Sequence, residues 1–132
     1  MKLPSFIPVF CLLVLFFLMG SFFHPRKTKK VKYPFGTWMR SQEEDKDPNS
    51  TWQLYRPSGY PFPAARGRSG FVLKKNGEFS IIRPSSLDGS ETFPGSWSAT
   101  ENGYLKITVP NSSLSEFRWK QIKKDLIEVE IK

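Results

Sequence analysis

The sequence predicts an all-β chain: an antiparallel up-and-down meander of about eight strands that closes as a barrel, preceded by an N-terminal hydrophobic helix. Three observations predict it. From Phe35 onward apolar and polar residues alternate; turn residues recur about every ten positions; and no stretch of this region carries an apolar stripe at helical spacing.

The helix comes first. Ser5 to Phe23 is uncharged and almost wholly apolar. As a helix it would extend ~28 Å, close to the hydrocarbon thickness of a bilayer. A soluble core helix would keep a polar face, and this segment has none. Residues 1–23 therefore read as a signal peptide or a transmembrane anchor, and residues 24–34 as a basic juxtamembrane linker. The length of the apolar run favours a single-pass anchor. Met19-Gly20-Ser21 offers small residues for cleavage, without an A-x-A pattern, and a cleaved chain would be secreted. Cys11 follows the bulky Phe10 and does not resemble a lipoprotein cysteine. The flank His24 to Lys32 holds five Lys/Arg, which by the positive-inside rule would place the body on the cytoplasmic side; Lys2 and the α-amino group stand on the other flank, and the side of the membrane stays open. The same charges suit contact with anionic lipid heads.

Residues 35–132 read as the barrel domain. The first strand is Phe35 to Arg40, and a polar loop follows with Glu43, Glu44, Asp45 and Asp47. Thr51 to Arg56 is the second strand. Pro57 to Gly70 holds three prolines and three glycines, so it is a long irregular loop, and such loops are commonly functional or packed over a core. Phe71 to Lys75 and Glu78 to Arg83 flank Asn76-Gly77, the preferred pair for a two-residue hairpin turn. Pro84 to Pro94 reads as a second polar loop. Gly95 to Thr100 and Tyr104 to Val109 form the next hairpin. Glu116 to Ile122 and Asp125 to Ile131 form the last, with Phe117 and Trp119 inward and Glu128 and Glu130 facing water. Every connection is expected to join neighbouring strands, and closure would remove the exposed edges.

Composition narrows the chemistry. Six of the 20 basic residues precede Tyr33, so the body carries fourteen against all 12 acids and is nearly neutral. That removes the usual inference from a basic protein to nucleic acid, and no aromatic residues interleave the basic linker for base stacking. The lone Cys11 and lone His24 both precede the body. Disulfides, Cys/His zinc sites, a Cys nucleophile and a Ser-His-Asp triad are thereby excluded from it. Asp45-Lys-Asp47-Pro-Asn49 begins like an EF-hand loop, but Ser50 and Arg56 stand where Gly and Glu are required. No metal, no cofactor and no enzymatic activity are expected.

Gly36-Thr37-Trp38 resembles the G-x-W motif of lipocalins and related calycin barrels, and Gly95-Ser96-Trp97 repeats it. Together with Glu43 to Asp45, Tyr55 to Pro63 and Arg66 to Phe71, these segments resemble small bacterial lipocalin-like domains of an uncharacterised family that follow a signal or anchor. The resemblance implies a barrel floor in which Gly36 opens the first strand and Trp38 packs beside an Arg from a late strand, here Arg118.

The candidate binding residues surround the long loop. Arg56, Arg66 and Arg68 offer guanidinium forks for an acidic headgroup, beside Tyr55, Tyr60 and Phe62. The same arginines match Glu43, Glu44 and Asp45, which would instead pin the loop. Trp38, Trp52, Trp97 and Trp119 either line a pocket or fill the core that a domain of this size needs. The reading is a non-catalytic, membrane-tethered or secreted domain that binds a small apolar or amphipathic ligand. The alternative is a cell-envelope protein-interaction module with a filled barrel. Its partners are thus a membrane and either a small ligand or an envelope protein, with no nucleic acid.

Overall fold

The computed structural model describes residues 30–132. The hydrophobic segment, its cleavage and most of the basic linker lie outside the described residues. Val31 to Lys132 forms one compact unit. None of the helices among the described residues is long and apolar enough to cross a membrane.

Eight strands form a closed, wholly antiparallel barrel: β1 (Gly36–Arg40), β2 (Gln53–Pro57), β3 (Gly70–Leu73), β4 (Glu78–Pro84), β5 (Ser90–Ala99), β6 (Leu105–Thr108), β7 (Glu116–Lys123) and β8 (Leu126–Ile131). A one-turn 3-10 helix, Gln42–Glu44, follows β1. Around the barrel the order is β1-β2-β8-β7-β6-β5-β4-β3. From β3 to β8 the strands form an unbroken meander of hairpins. One join departs from the expected neighbour-to-neighbour pattern. β1 lies between β2 and β3, so Ser58–Ser69 must carry the chain past β1. The Ser58 N–H donates to the Thr37 carbonyl, and the Arg40 N–H donates to the Ser69 carbonyl. The loop therefore leaves beside one end of β1 and returns beside the other. That geometry explains its length and its proline-rich, irregular backbone.

The expected hairpin at Asn76-Gly77 is present, with Phe71 opposite Ile81 and Leu73 opposite Phe79. Gly77 has φ +90°, the left-handed backbone this turn requires. β5 is a correction to the sequence reading. It begins at Ser90 instead of Gly95, so the expected loop Pro84 to Pro94 shrinks to a short turn. β6 pairs only with Ser96 to Ala99, which leaves the Pro94 stretch with a neighbour on one side alone. A sheet tolerates proline in such a place. Ser90 to Pro94 is exposed throughout and shows no alternation of burial, which is why it resembles a loop in sequence.

The barrel interior is apolar. Trp38, Tyr55, Phe71, Leu73, Phe79, Ile81, Leu105, Ile107, Val109, Phe117, Ile127 and Val129 form one buried cluster. Phe117 meets Phe71 edge-on at 4.8 Å between ring centroids and Phe79 at 5.8 Å. Tyr33, Phe35, Trp97 and Trp119 pack against this cluster as partly buried side chains. The Trp38 indole N–H donates to the Pro34 carbonyl at 3.1 Å, which ties the approach to β1 against the core. Glu130, expected in water, is instead buried on the outer wall. Its carboxylate accepts from the Thr51 hydroxyl at 2.5 Å and pairs with Lys132 at 3.3 Å. The first of these bonds holds its pKa below the usual carboxylate range.

Candidate functional site

The long loop and the 3-10 turn meet on the outer wall over β1 and β2. Alternation along β2 turns Tyr55 inward and Arg56 outward. The Arg56 guanidinium grips Glu44 with two bonds, Nε to Oε2 at 2.8 Å and Nη2 to Oε1 at 2.6 Å. A further nitrogen stands 3.0 Å from an Asp125 carboxylate oxygen. Ser41 donates its hydroxyl to the same Glu44 at 2.6 Å. The hydrogen bonds from Arg56 and then Ser41 lower the Glu44 pKa to about 2. Arg68 repeats the arrangement on Glu43, at 2.9 and 2.5 Å, and also donates to the carbonyls of Arg40 and Pro63. Its hydrogen bonds lower the Glu43 pKa. Arg40 pairs with Asp45 at 2.5 Å.

Two aromatic rings cover these forks. Arg56 lies 4.4 Å from the Tyr60 ring centroid and Arg68 4.5 Å from that of Phe62, and the two rings meet edge-on at 5.1 Å. The sequence therefore places the right residues together, and the pairing that results is internal. Each of Glu43, Glu44 and Asp45 is taken by an arginine of this chain, so the cluster pins the crossing loop. The residue assignments differ from the simplest matching in one respect: Arg40, not Arg66, takes the third acid. Arg66 is exposed and makes no ion pair among the described residues. Tyr55 does not face the loop; it is buried against Phe71 at 5.2 Å, and burial raises its pKa.

The floor residues divide in the same way. Gly36 opens β1 with φ +116°, and Trp38 is buried. Arg118 does not stand beside Trp38. It lies between the inward-facing Phe117 and Trp119, and strand alternation sends it to the outer wall. There its guanidinium lies 5.0 Å from the Tyr104 ring centroid, 3.5 Å from Glu116, with Nε buried and unpartnered.

This outward Arg118 helps build a feature the sequence reading missed. Trp52, Asn102, Gly103, Tyr104, Arg118, Trp119 and Lys120 line an open groove of about 500 Å³ on the outer wall. Lys120 sits 4.1 Å from the Trp52 ring centroid. Two cations on two aromatic faces thus line one groove, and among the described residues no carboxylate lines it. The contributing residues come from the position just before β2, the β5–β6 turn and β7. Their only sequence signal is the outward parity of Arg118 and Lys120. A second groove of similar size, lined by Leu54, Ile122 and Leu126 among charged residues, carries both signs of charge. Among the described residues no group of three His, Cys, Asp or Glu side chains gathers as a metal site.

No family model, curated protein or solved structure matches the chain.

Proposed function

We propose that the chain is a non-catalytic, membrane-tethered interaction module, built on a filled, lipocalin-like barrel, that takes an acidic segment of a protein partner in the groove around Arg118 and Lys120. The observation that carries this reading is the pairing state of the cations. Arg56 and Arg68 are committed to Glu44 and Glu43, whereas Lys120 rests on Trp52, and among the described residues no carboxylate lies within ion-pair distance of it or lines its groove. A lysine on an aromatic face and open to solvent favours an anionic partner that adds the missing charge, while the neighbouring Arg118 already pairs with Glu116.

The lipocalin-like description is supported by the closed eight-stranded barrel and by the G-x-W that opens β1 with a buried tryptophan. The insertion of β1 between β2 and β3 and the outward Arg118 set the chain apart from that pattern. Carriage of a small apolar ligand inside the barrel has less support, because twelve buried side chains occupy the interior.

Tryptophan fluorescence of the whole protein, titrated with an oligoglutamate peptide, tests the reading. A saturable change is expected, weakened about tenfold or more by Lys120→Glu, with an uncharged oligoglutamine peptide inert. No response, or a response that Lys120→Glu leaves intact, would refute it. Comparison of native and denatured masses tests the carrier reading: an extra mass released on denaturation would favour that reading instead.

A further inference from the structure

The barrel end through which the chain enters carries an aromatic collar. Tyr33 meets Phe35, Trp97 and Trp119, each at 5.6 Å between ring centroids, and Phe35 meets Trp97 at 6.1 Å. All four rings are partly exposed. This is the residue set that settles at a membrane–water boundary, where one side of the ring is apolar and the other wet. The β3–β4 turn closes the same end. The Trp97 indole N–H donates to the Lys74 carbonyl at 2.7 Å, and Lys75 lies 5.6 Å from the Phe35 ring centroid. Lys32, next but one before Pro34 in the chain, and Lys74 and Lys75 of the β3–β4 turn are exposed. Among the described residues only Lys74 of these has a carboxylate partner, Glu78 at 3.1 Å.

The chain outside the structure supplies the occupant. Phe23 ends the apolar run, and Tyr33 is ten residues further on. Ten residues reach at most ~35 Å when fully extended. Arg26, Lys27 and Lys29 add further positive charge along that span. We infer that this end of the barrel docks on the anionic bilayer surface that holds residues 1–23, with Tyr33, Phe35 and Trp97 at the headgroup level and Lys32, Lys74 and Lys75 on the lipid charges. The inference rests on the membrane-tethered part of the reading above, and the collar shares only Trp119 with the Arg118–Lys120 groove. Docking would hold the barrel in one orientation and leave its outer wall to face a partner.

The test uses the full-length protein in vesicles of brominated phosphatidylcholine, alone or in an equal mixture with phosphatidylserine. All four tryptophans belong to the barrel, so bromine quenching reports its approach to lipid. Quenching is expected in the mixed vesicles, and much less in phosphatidylcholine alone. Lys75→Glu should lower the docking constant at least about fivefold, since each basic residue near an anionic surface is worth roughly that factor. Arg83→Glu makes the same charge change at the opposite end of β4 and should leave quenching unaltered. Equal quenching in both lipids, or equal loss from the two variants, would overturn docking through this end. Flotation separates the two claims. Protein that floats with vesicles but is not quenched is anchored without docking; protein that does not float at all removes the anchor and the docking together.

Discussion

Phe117→Ala puts the filled interior to a quantitative test. Phe117 is fully buried, edge-on to Phe71 and Phe79 and tilted against Trp119 at 6.2 Å. Loss of the ring forfeits ~2 kcal/mol of apolar transfer. If the neighbours stay in place, a void on the order of 80 Å³ adds ~2 kcal/mol. The sum, about 4 kcal/mol, lies within the usual span for removal of a buried phenyl ring. The assay is urea unfolding followed by tryptophan fluorescence, with Phe117→Leu as a milder variant at about 1–2 kcal/mol should the alanine protein fail to fold. A second readout is binding of xenon, which small apolar cavities accept. The wild-type protein should bind none and the alanine variant should bind it. A cost below about 1 kcal/mol, or equal xenon binding by both proteins, would refute a filled core and return weight to the carrier reading.

Other outcomes follow from the same geometry. A double-mutant cycle of Arg56→Met and Glu44→Gln should give a coupling of about 1–2 kcal/mol in urea unfolding; additivity would mean the bidentate pair contributes nothing. Acid should weaken the fold in a defined window. The Glu44 carboxyl titrates near 2 in the folded chain against an ordinary 4.5, so its contribution is complete above pH 4.5 and lost as pH falls toward 2. With that carboxylate about a third exposed, the loss is about 1–2 kcal/mol; Glu43 and Glu130 shift in the same direction, and Glu44→Gln should flatten the pH dependence. Gly95→Ala should cost about 2 kcal/mol or more, because its Cβ would press on the Thr108 carbonyl and lie 3.0 Å from Val109 Cγ2, whereas Gly59→Ala meets open space and should be nearly neutral by thermal melting.

The parts of this fold legible in sequence are those set by local physics. Asn76-Gly77 can turn only tightly, and the period-two placement of Phe71, Leu73, Phe79 and Ile81 assigns all four to one face. The matching of Arg56 and Arg68 with the acids of the preceding loop was legible as well, because charges near one another in sequence and equal in number have few other partners. The groove was not legible. It brings Trp52 against Lys120 and Tyr104 against Arg118, and the first of these pairs is separated by most of the domain.

Residue order alone determined the class of the domain, the parity of its strands and which charges were available to neutralise one another, since each depends on spacings of a few residues. Tertiary structure alone decided that β1 inserts between β2 and β3, that β5 extends through Pro94, and that Arg118 leaves the floor for the outer wall. Strand pairing joins segments whose separation in the chain carries no local signal. Which surfaces stay open is known only after every strand has taken its neighbours.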